Sequence, residues 1–330
     1  MKTGIYLLAN NSVCEQVVAL INSIEANYSK DIPICIIPFD SKIDRLSKEL
    51  ANRKNVSFFE NKNSIEKWDK FVSEVHQLYY AYPHEGVKSK RTEILQMHRK
   101  YCAFDGSFEK FIYLDSDTLI FQSLEPVFQK LDEFDFVVHD FQRFTDIRLK
   151  TVNYYYEAFN KLYDSEEIFA QRFHCSGFWA SRKEAITEED LAYFIQELAK
   201  GDIKIFKTPW HGEDIRQLSE QSLLNYMTLK KEFKLYNFTL DKSSEQNTGS
   251  CVTSLHFEDK NHILYDHEQK LTYLHYMGIK NERLRRLVKL NQINLPFKKM
   301  VIYLADKLFK WQIRSIPYKD VFLYYRFLRE

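Results

Sequence analysis

The sequence has 330 residues and a formal net charge of +1, and 28% of its residues are charged. This length suits one large domain or a domain with an appendage, and the balanced charge argues against a dedicated nucleic-acid-binding protein. With only 8 glycines and 7 prolines, long disordered linkers are not expected.

The five cysteines are widely spaced and form no CxxC pair: Cys14, Cys35, Cys102, Cys175 and Cys251. This pattern predicts free thiols in a reducing compartment, not a disulfide or zinc framework. The apolar run near residue 5 is too short for a signal peptide, and no stretch approaches the roughly 20 apolar residues of a membrane span. A cytoplasmic location is therefore expected.

The first elements predict the opening of an α/β sheet. Residues 5–9 have the pattern of a buried strand, and 32–37 that of a second one. Between them, apolar residues recur at helical spacing after Ser12 and Glu15, which have the spacing of a capping box. Strand, helix and parallel strand in this order favour an α/β fold.

Ligands of such sheets bind beyond the carboxyl ends of the strands, where Ala9, Asn10, Asn11 and Asp40 lie. These residues are candidates for nucleotide contacts, although turn residues are commoner at such positions. No glycine-rich phosphate loop follows the first strand, so phosphates would depend on a metal and basic side chains.

Two helices are predicted next, at 64–82 and 89–104. The second contains Arg91, Arg99 and Lys100. These cations either form a solvated basic face or reach a phosphate, and the sequence favours the first alternative.

Two carboxylates one residue apart interrupt an apolar run at residues 111–121. In an extended backbone Asp115 and Asp117 point to the same side, and Ser116 points to the other. Most Asp-x-Asp pairs are solvated turns, but two acids in a core strand are costly unless a cation or hydrogen bonds compensate them. We therefore expect a divalent cation that carries phosphates at this strand end.

The second half alternates predicted strands and helices. Strands are expected at 136–138, before His139 and Asp140, and near 252–256 and 271–275, where His275 ends the last one. Helices are expected within 151–173, at 187–200 with Thr187 as its cap, and at 220–227. Ser176 and Gly177 lie between aromatic residues at the start of a strand, where glycine permits close approach.

Four stretches resemble the retaining nucleotide-sugar glycosyltransferases of the glycogenin and lipopolysaccharide-galactosyltransferase type, glycosyltransferase family 8. YLDSDT at 113–118 resembles the family's YLDxD motif, and LHYMGIK at 274–280 resembles its HYxGxxK segment. EQSLLN at 220–225 is similar to its DQDxLN helix start, and CSGF at 175–178 to its N-[SA]-G-V strand.

The resemblance implies a GT-A type α/β domain over residues 1–280, with a central, mainly parallel sheet flanked by helices. It implies that Asp115, Asp117 and His275 bind Mn²⁺, with Mg²⁺ as the alternative, and that Gln221 lies under the anomeric carbon. Asp140 would contact the donor sugar. The implied contacts to the nucleotide sugar, a UDP-sugar by resemblance, are Ala9, Asn10, Asn11, Asp40, Arg99 or Lys100, Ser116, Ser176, Gly177, Gly278 and Lys280.

The sequence departs from the family at Cys175, which replaces a sugar-contacting asparagine. Glu220 and Ser222 replace acids of the DQD segment, and Asn281 follows Lys280 where the family has Pro-Trp. The exact sugar is therefore open.

Retention is implied by the resemblance, and because the amide of Gln221 is a poor nucleophile we expect front-face attack by the acceptor hydroxyl. An inverting reaction would need a general base, for which His211, Glu213 and Asp214 are candidates. A nucleotidyltransferase would need a glycine-rich loop that is missing here. A non-catalytic scaffold protein with the same fold is the alternative of a different class.

Residues 281–330 are rich in lysine, arginine and aromatic residues and are expected to form a helical extension. Basic, aromatic helices bind anionic membrane surfaces, which would place the protein on the inner face of the membrane beside a glycan or lipid-linked acceptor. The competing interpretation is a helical cap that packs on the domain.

Overall fold

A computed structural model describes residues 2–80, 96–140, 156, 159, 162, 165–203, 219–246, 255–293 and 298–330. The strands are β1 Thr3–Ala9, β2 Ile34–Pro38, β3 Val56–Phe58, β4 Lys110–Asp115, β5 Thr118–Ile120, β6 Phe136–Val138, β7 Phe178–Arg182, β8 Leu235–Asn237, β9 Glu258–Lys260, β10 Ile263–Asp266, β11 Gln269–Lys270 and β12 Tyr273–His275. The helices are α1 Cys14–Asn27, α2 Asp44–Leu50, α3 Lys62–Tyr80, α4 Glu125–Lys130, α5 Glu166–Arg172, α6 Glu188–Ala199, α7 Glu220–Lys230, α8 Asn281–Gln292, α9 Lys298–Phe309 and α10 Lys319–Phe327.

A seven-stranded sheet with the order β3-β2-β1-β4-β7-β6-β8 forms the centre of the molecule. Strands β1, β2, β3 and β4 are parallel, β6 is parallel to β8, and β7 runs against both of its neighbours. Both faces of this sheet are covered, because alternate residues of β1 enter two different apolar clusters. Tyr6 and Leu8 belong to one cluster, and Ile5, Leu7 and Ala9 to the other. The predicted α/β class with a mainly parallel sheet is confirmed.

Several predicted elements match the structure closely. The two opening strands correspond to β1 and β2, the helix at 64–82 to α3, and the strand at 136–138 to β6. Thr187 caps α6 through a reciprocal capping box with Asp190. The predictions at 220–227 and 271–275 correspond to α7 and β12.

The capping box at Ser12 and Glu15 is wrong. Asn10 caps a 3-10 turn at Asn11–Val13 by accepting a hydrogen bond from the Ser12 amide, and α1 begins afterwards at Cys14 without a side-chain cap. Glu15 is buried and its carboxylate pairs with two arginines, Arg45 and Arg326. The Glu15 carboxylate therefore forms ion pairs instead of the helix cap that the sequence pattern predicts.

The described part of the predicted helix at 89–104 is a 3-10 helix at His98–Asp105, preceded by residues 96–97; residues 81–95 lie outside the described residues. Arg91, His211, Glu213, Asp214, Val252 and Ser254 also lie outside them. His256 is in a turn and not in a strand.

The carboxyl-terminal helices pack against the amino-terminal helix α1. Asn22 Nδ2 donates to the Tyr325 carbonyl oxygen at 2.6 Å, and Arg326 Nε lies 2.5 Å from Glu15 Oε2. Arg326 is only 3% exposed, so this ion pair is shielded from water. Helix α10 therefore covers α1, whereas α9 carries exposed apolar side chains.

Among the described residues, no helix combines the length and the apolar character that crossing a membrane requires.

Candidate active site

A cavity of about 380 Å³ lies at the carboxyl ends of β1 and β4. Polar and ionisable side chains come together there from distant parts of the chain. The predicted site residues that line it are Ala9, Asn10, Asp115, Ser116, Asp117, Ser176, Gln221, His275 and Gly278.

Strand pairing brings His275 to the two aspartates. Asp115 ends β4, Asp117 follows in a turn, and β5 then pairs antiparallel with β12 so that Thr118 lies opposite His275. The Tyr276 amide donates to the Asp117 carbonyl oxygen at 2.8 Å and fixes this register. The predicted strand thus ends at its acids, as β4 does at Asp115, and the turn that follows brings Asp117 toward β12.

The three side chains form one compact cluster. His275 Nε2 lies 3.1 Å from Asp117 Oδ1 and 3.8 Å from Asp115 Oδ2. Burial opposes the charged form of His275, but the neighbouring Asp117 carboxylate outweighs it and raises the pKa of the imidazole. Burial likewise opposes the charge of Asp117, yet His275 lowers the pKa of this carboxyl group overall. His275 and Asp117 therefore each favour the charged form of the other.

The donor set suits a divalent cation. One ligand atom from each of Asp115, Asp117 and His275 lies within 4.8 Å of the others, and two carboxylates with one imidazole match the preferences of Mn²⁺. His275 Nδ1 is buried and has no hydrogen-bond partner among the described residues. A Cβ on Gly177 would lie 2.9 Å from His275 Cε1 and 3.0 Å from Asp115 Oδ2, so only glycine leaves this space open.

A buried lysine supports the cluster from below. Lys100 is 0% exposed, and its Nζ donates to Asp115 Oδ1 at 3.1 Å and lies 4.0 Å from Glu220 Oε1. Burial opposes its charge, but the carboxylates of Asp115 and Glu220 raise the pKa of the ammonium group. Tyr113 Oη also donates to Asp115 Oδ1, at 2.8 Å. The Asp115 carboxylate is therefore held in one orientation.

Of the two neighbouring cations considered from the sequence, the structure brings only Lys100 to the metal-ligand cluster. The Arg99 guanidinium instead pairs with Asp69 at 2.6 Å and donates to the Phe39 carbonyl oxygen.

Helix α7 and the turn before β7 form the wall beside Gln221. Asn225 holds them together, because its Nδ2 donates to the His174 carbonyl oxygen at 2.7 Å and its Oδ1 accepts from the His174 amide at 2.9 Å. Asp140 is 1% exposed, and its Oδ1 accepts from the Cys175 amide at 3.2 Å. The structure thus places Asp140 behind the cavity wall, where it supports the Cys175–Gly177 turn.

The other wall carries the residues that follow β1. Asn10 lines the cavity and its Nδ2 donates to Asp40 Oδ2 at 2.9 Å. Asn11 instead contacts the first turn of α2, donating to Asp44 Oδ1 and accepting from the Leu46 amide. Asp40 and Asn11 lie outside the cavity lining, and Ser116 Oγ donates to the Leu8 carbonyl oxygen, away from the carboxylates.

Lys280 occupies the N-cap position of α8, two residues after the cavity-lining Gly278. Its side chain is exposed and makes no capping hydrogen bond. The cavity lining also includes Tyr113, Glu220 and Asn281, which the sequence did not single out as site residues. Glu220 and Asn281 are each adjacent to a predicted residue, which was the available signal.

No protein-family model matches the chain, and no curated protein matches it. Among solved structures, the apo WbbM bifunctional glycosyltransferase aligns with a TM-score of 0.50 at 13% identity. That alignment covers 91% of this chain and 51% of WbbM, so the chain spans about half the length of that protein. The chain has the GT-A fold of nucleotide-sugar glycosyltransferases.

Two further solved structures align less closely. The galactosyltransferase LgtC, solved in complex with donor and acceptor sugar analogues, has a TM-score of 0.48 at 14% identity over 92% of this chain and 96% of LgtC. Mouse xyloside xylosyltransferase 1 has a TM-score of 0.48 at 11% identity over 72% of this chain and 85% of that one.

In this GT-A fold, the cavity combines an anionic cation-binding cluster with a wall of hydrogen-bonding side chains. The cluster is suited to neutralising a phosphate-bearing ligand, because the carboxylates attract a cation and the cation attracts phosphate oxygens. Glu220 and Gln221, in the first turn of α7, offer an acceptor and an amide in the same cavity, which suits hydrogen bonding to the hydroxyl groups of a ligand.

Proposed function

We propose that the protein is a divalent-cation-dependent glycosyltransferase that moves a sugar from a nucleoside-diphosphate donor, a UDP-sugar by resemblance, to a glycan or lipid-linked acceptor. The cluster of Asp115, Asp117 and His275 in the cavity of a GT-A fold carries this proposal. A cation held there would supply positive charge to the diphosphate leaving group.

The chain's own residues have separate tasks in this reaction. Lys100 and Tyr113 hold the Asp115 side chain in the orientation in which it would bind the cation. Lys280, beside the cavity-lining Gly278, would stabilise charge that develops on the departing diphosphate. Gln221 lines the cavity from the first turn of α7 and would orient the sugar of the donor.

We infer retention of the anomeric configuration from the resemblance, and we infer front-face attack because the amide of Gln221 is uncharged and therefore a weak nucleophile. The acceptor hydroxyl would attack from the face that the leaving group vacates, and a phosphate oxygen would take its proton. The sugar–phosphate bond breaks through an oxocarbenium-like transition state. An inverted product, detected by NMR of the anomeric proton, would contradict this.

The experiment is donor hydrolysis by the purified protein with a panel of nucleotide sugars, in Mn²⁺, Mg²⁺ or chelator. We expect slow, Mn²⁺-dependent release of a nucleoside diphosphate from one donor, and loss of this activity in Asp117→Asn. Asp31→Asn, an exposed change outside the cavity, is the matched control and should retain activity. No turnover of any donor, together with no Mn²⁺-dependent thermal shift with any nucleotide, would favour a non-catalytic protein.

Contact with an anionic lipid surface is a further part of the proposal, and helix α9 supports it. The large apolar side chains exposed on α9 are Met300, Tyr303, Leu304, Leu308 and Phe309. Lys307, Lys310 and Arg314 are exposed beside them. Such a combination buries apolar side chains at the headgroup boundary while the cations meet anionic lipids.

Vesicle sedimentation tests this surface without removing the helices that pack on α1. Leu308→Ser with Phe309→Ser should reduce binding to phosphatidylserine vesicles about tenfold, whereas phosphatidylcholine vesicles should bind neither protein. The control is Leu255→Ser, which removes an equally exposed leucine elsewhere. Equal binding of all variants to anionic vesicles would refute the lipid contact.

A further inference from the structure

Asn281, the first residue of α8, lines the cavity together with His275 and Gly278. It lies directly after Lys280 and is only partly exposed. Its amide therefore belongs to the same wall as the segment assigned above to the donor's phosphates.

A buried glutamine of α1 fixes the orientation of this amide. Gln16 is 1% exposed, and its Nε2 donates to Asn281 Oδ1 at 3.0 Å. Because Oδ1 is occupied by this donor, the Asn281 side chain keeps its NH₂ group for a second partner. Within the described residues, Asn281 Nδ2 has no hydrogen-bond acceptor.

We propose that Asn281 is a further binding residue for the donor's diphosphate, donating from Nδ2 to a phosphate oxygen, and that Gln16 is its positioning residue. The inference rests on the proposed function. The NH₂ group of Asn281 can only donate, and phosphate oxygens carry no protons at neutral pH and only accept, so the two groups are complementary.

A neutral donor also suits the charge already present in the cavity. The two aspartates, the cation they would hold and Lys280 together provide the charge balance for a diphosphate. Asn281 adds a hydrogen bond with a defined direction and leaves that balance unchanged.

Two substitutions of Asn281 separate binding from folding. Asn281→Asp keeps the shape of the side chain and an oxygen for Gln16 Nε2, and an acid in the first turn of α8 is favourable for the helix. It replaces the NH₂ group by a carboxylate oxygen that repels phosphate. Asn281→Ala removes the donor without adding charge.

The measurement is titration calorimetry of UDP in the presence of Mn²⁺, with uridine binding followed by ligand-observed NMR. Loss of one hydrogen bond to a charged group predicts about tenfold weaker UDP binding for Asn281→Ala. The added repulsion in Asn281→Asp predicts about hundredfold weaker binding. Uridine, which has no phosphate, should bind both variants as it binds the wild type.

Gln16→Met tests the positioning role. Gln16 Oε1 is buried and has no hydrogen-bond partner in the described part of the chain, so methionine removes no other polar contact seen there and should leave the protein folded. We expect about threefold weaker UDP binding with unchanged uridine binding, because the freed amide must be ordered on binding. If Gln16 had only a structural role, Gln16→Met would change the affinities for UDP and for uridine alike.

The outcomes distinguish this inference from the proposed function. If the wild type binds UDP with Mn²⁺ and Asn281→Asp binds it equally well, the role of Asn281 is refuted and the proposed function stands. If the wild type binds none of UDP, GDP, CDP or ADP with Mn²⁺, the proposed function fails and the inference fails with it.

Discussion

Asp115 makes more hydrogen bonds to neighbouring residues than Asp117, the other acid of the cluster with His275. Lys100 and Tyr113 donate to its Oδ1, the Gly177 carbonyl accepts from its amide at 2.8 Å, and Oδ2 is left toward His275. Asp117 depends mainly on His275. Asp115 is therefore fixed without a cation, and we expect Asp117 and His275 to adjust to it when a cation binds.

His275 should determine which cation the site prefers. Imidazole is a better ligand for Mn²⁺ than for Mg²⁺, which prefers oxygen atoms. We expect His275→Asn to lower the ratio of Mn²⁺ to Mg²⁺ affinity by about tenfold. Competition between the two ions, followed by the electron paramagnetic resonance of free Mn²⁺, measures this ratio.

The control for this change is His256→Asn, which alters a partly exposed histidine outside the cavity. An unchanged ratio in His275→Asn would mean that the imidazole does not ligate the cation.

Gly177 should be intolerant of any side chain. Since an added Cβ would lie 2.9 Å from His275 Cε1 and 3.0 Å from Asp115 Oδ2, both ligands must move in Gly177→Ala. We expect at least tenfold weaker Mn²⁺ binding, as for other changes that reposition ligands. Titration calorimetry tests this, and near-wild-type affinity would show that the cluster relaxes without loss.

At the scale of elements, pairing between β5 and β12 positions the metal-ligand cluster, and packing of α10 on α1 connects the chain's two ends. Arg326 lies at the centre of the second contact, with Glu15 at 2.5 Å and Glu49 at 3.2 Å. Helix α1 begins beside the cavity-lining residues Ser12 and Val13. The carboxyl-terminal helix therefore packs on the helix whose start borders the cavity.

Removing the charge of Arg326 should destabilise the protein strongly. Arg326→Met leaves the buried Glu15 with only Arg45, whose side chain is 41% exposed. Breaking a buried ion pair on one side costs about 3 kcal/mol in the free energy of unfolding. Urea unfolding followed by circular dichroism measures this change.

Two variants serve as comparisons. Arg329→Met removes a half-exposed partner of Glu25, which retains Arg53 at 2.7 Å, and should cost less than about 1 kcal/mol. Adding Glu15→Gln to Arg326→Met should recover part of the loss, because the uncompensated charge disappears. Equal midpoints for Arg326→Met and the wild type would show that this pair is energetically neutral.

At the scale of the whole molecule, stability should depend on a buried histidine below neutral pH. His139 is 0% exposed and stacks on Phe238, with ring centroids 4.5 Å apart. Burial lowers the pKa of the His139 imidazole from 6.5 to about 3. The unfolded chain therefore takes up this proton at a higher pH than the native protein does.

The sign follows from this difference. Between pH 6.5 and 3 the unfolded state binds more protons at this position, so the contribution of His139 to stability falls as the pH falls, by about 1.4 kcal/mol per pH unit. Urea unfolding of His139→Leu at pH 7, 6 and 5 should show a shallower loss than the wild type.

His267→Gln, which changes a largely exposed imidazole, is the control and should keep the wild-type slope. Parallel slopes for the wild type and His139→Leu would show that His139 is not the buried neutral group described here.

The local sequence pattern was sufficient to predict the first strands of the sheet and the clustering of the two aspartates. Continuous apolar runs define β1 and β2, and the carboxylates of Asp115 and Asp117 were predicted to share a face. Residue type was enough for these predictions, because a buried acid needs a partner wherever it lies. The turn after β4 and the pairing of β5 with β12, not strand alternation, bring the two carboxylates together.

Local pattern was not sufficient to assign neighbouring polar residues. Lys100 and Arg99 are adjacent, yet the 3-10 turn directs one to Asp115 and the other to Asp69. Asn11 was predicted to contact the nucleotide sugar. Its side-chain amide instead donates to Asp44 and accepts from the Leu46 amide at the start of α2. The partners lie 15 to 35 positions away, so tertiary packing decides the outcome.

The sequence by itself determined the α/β class, the main strands and the chemistry of the metal ligands, because these follow from local periodicity and residue type. Only the tertiary structure decided that Asp140 lies behind the wall, that Gln16 holds Asn281, and that Arg326 meets Glu15. These contacts join residues up to 311 positions apart. Their energies depend on burial and distance, which no local stretch of sequence specifies.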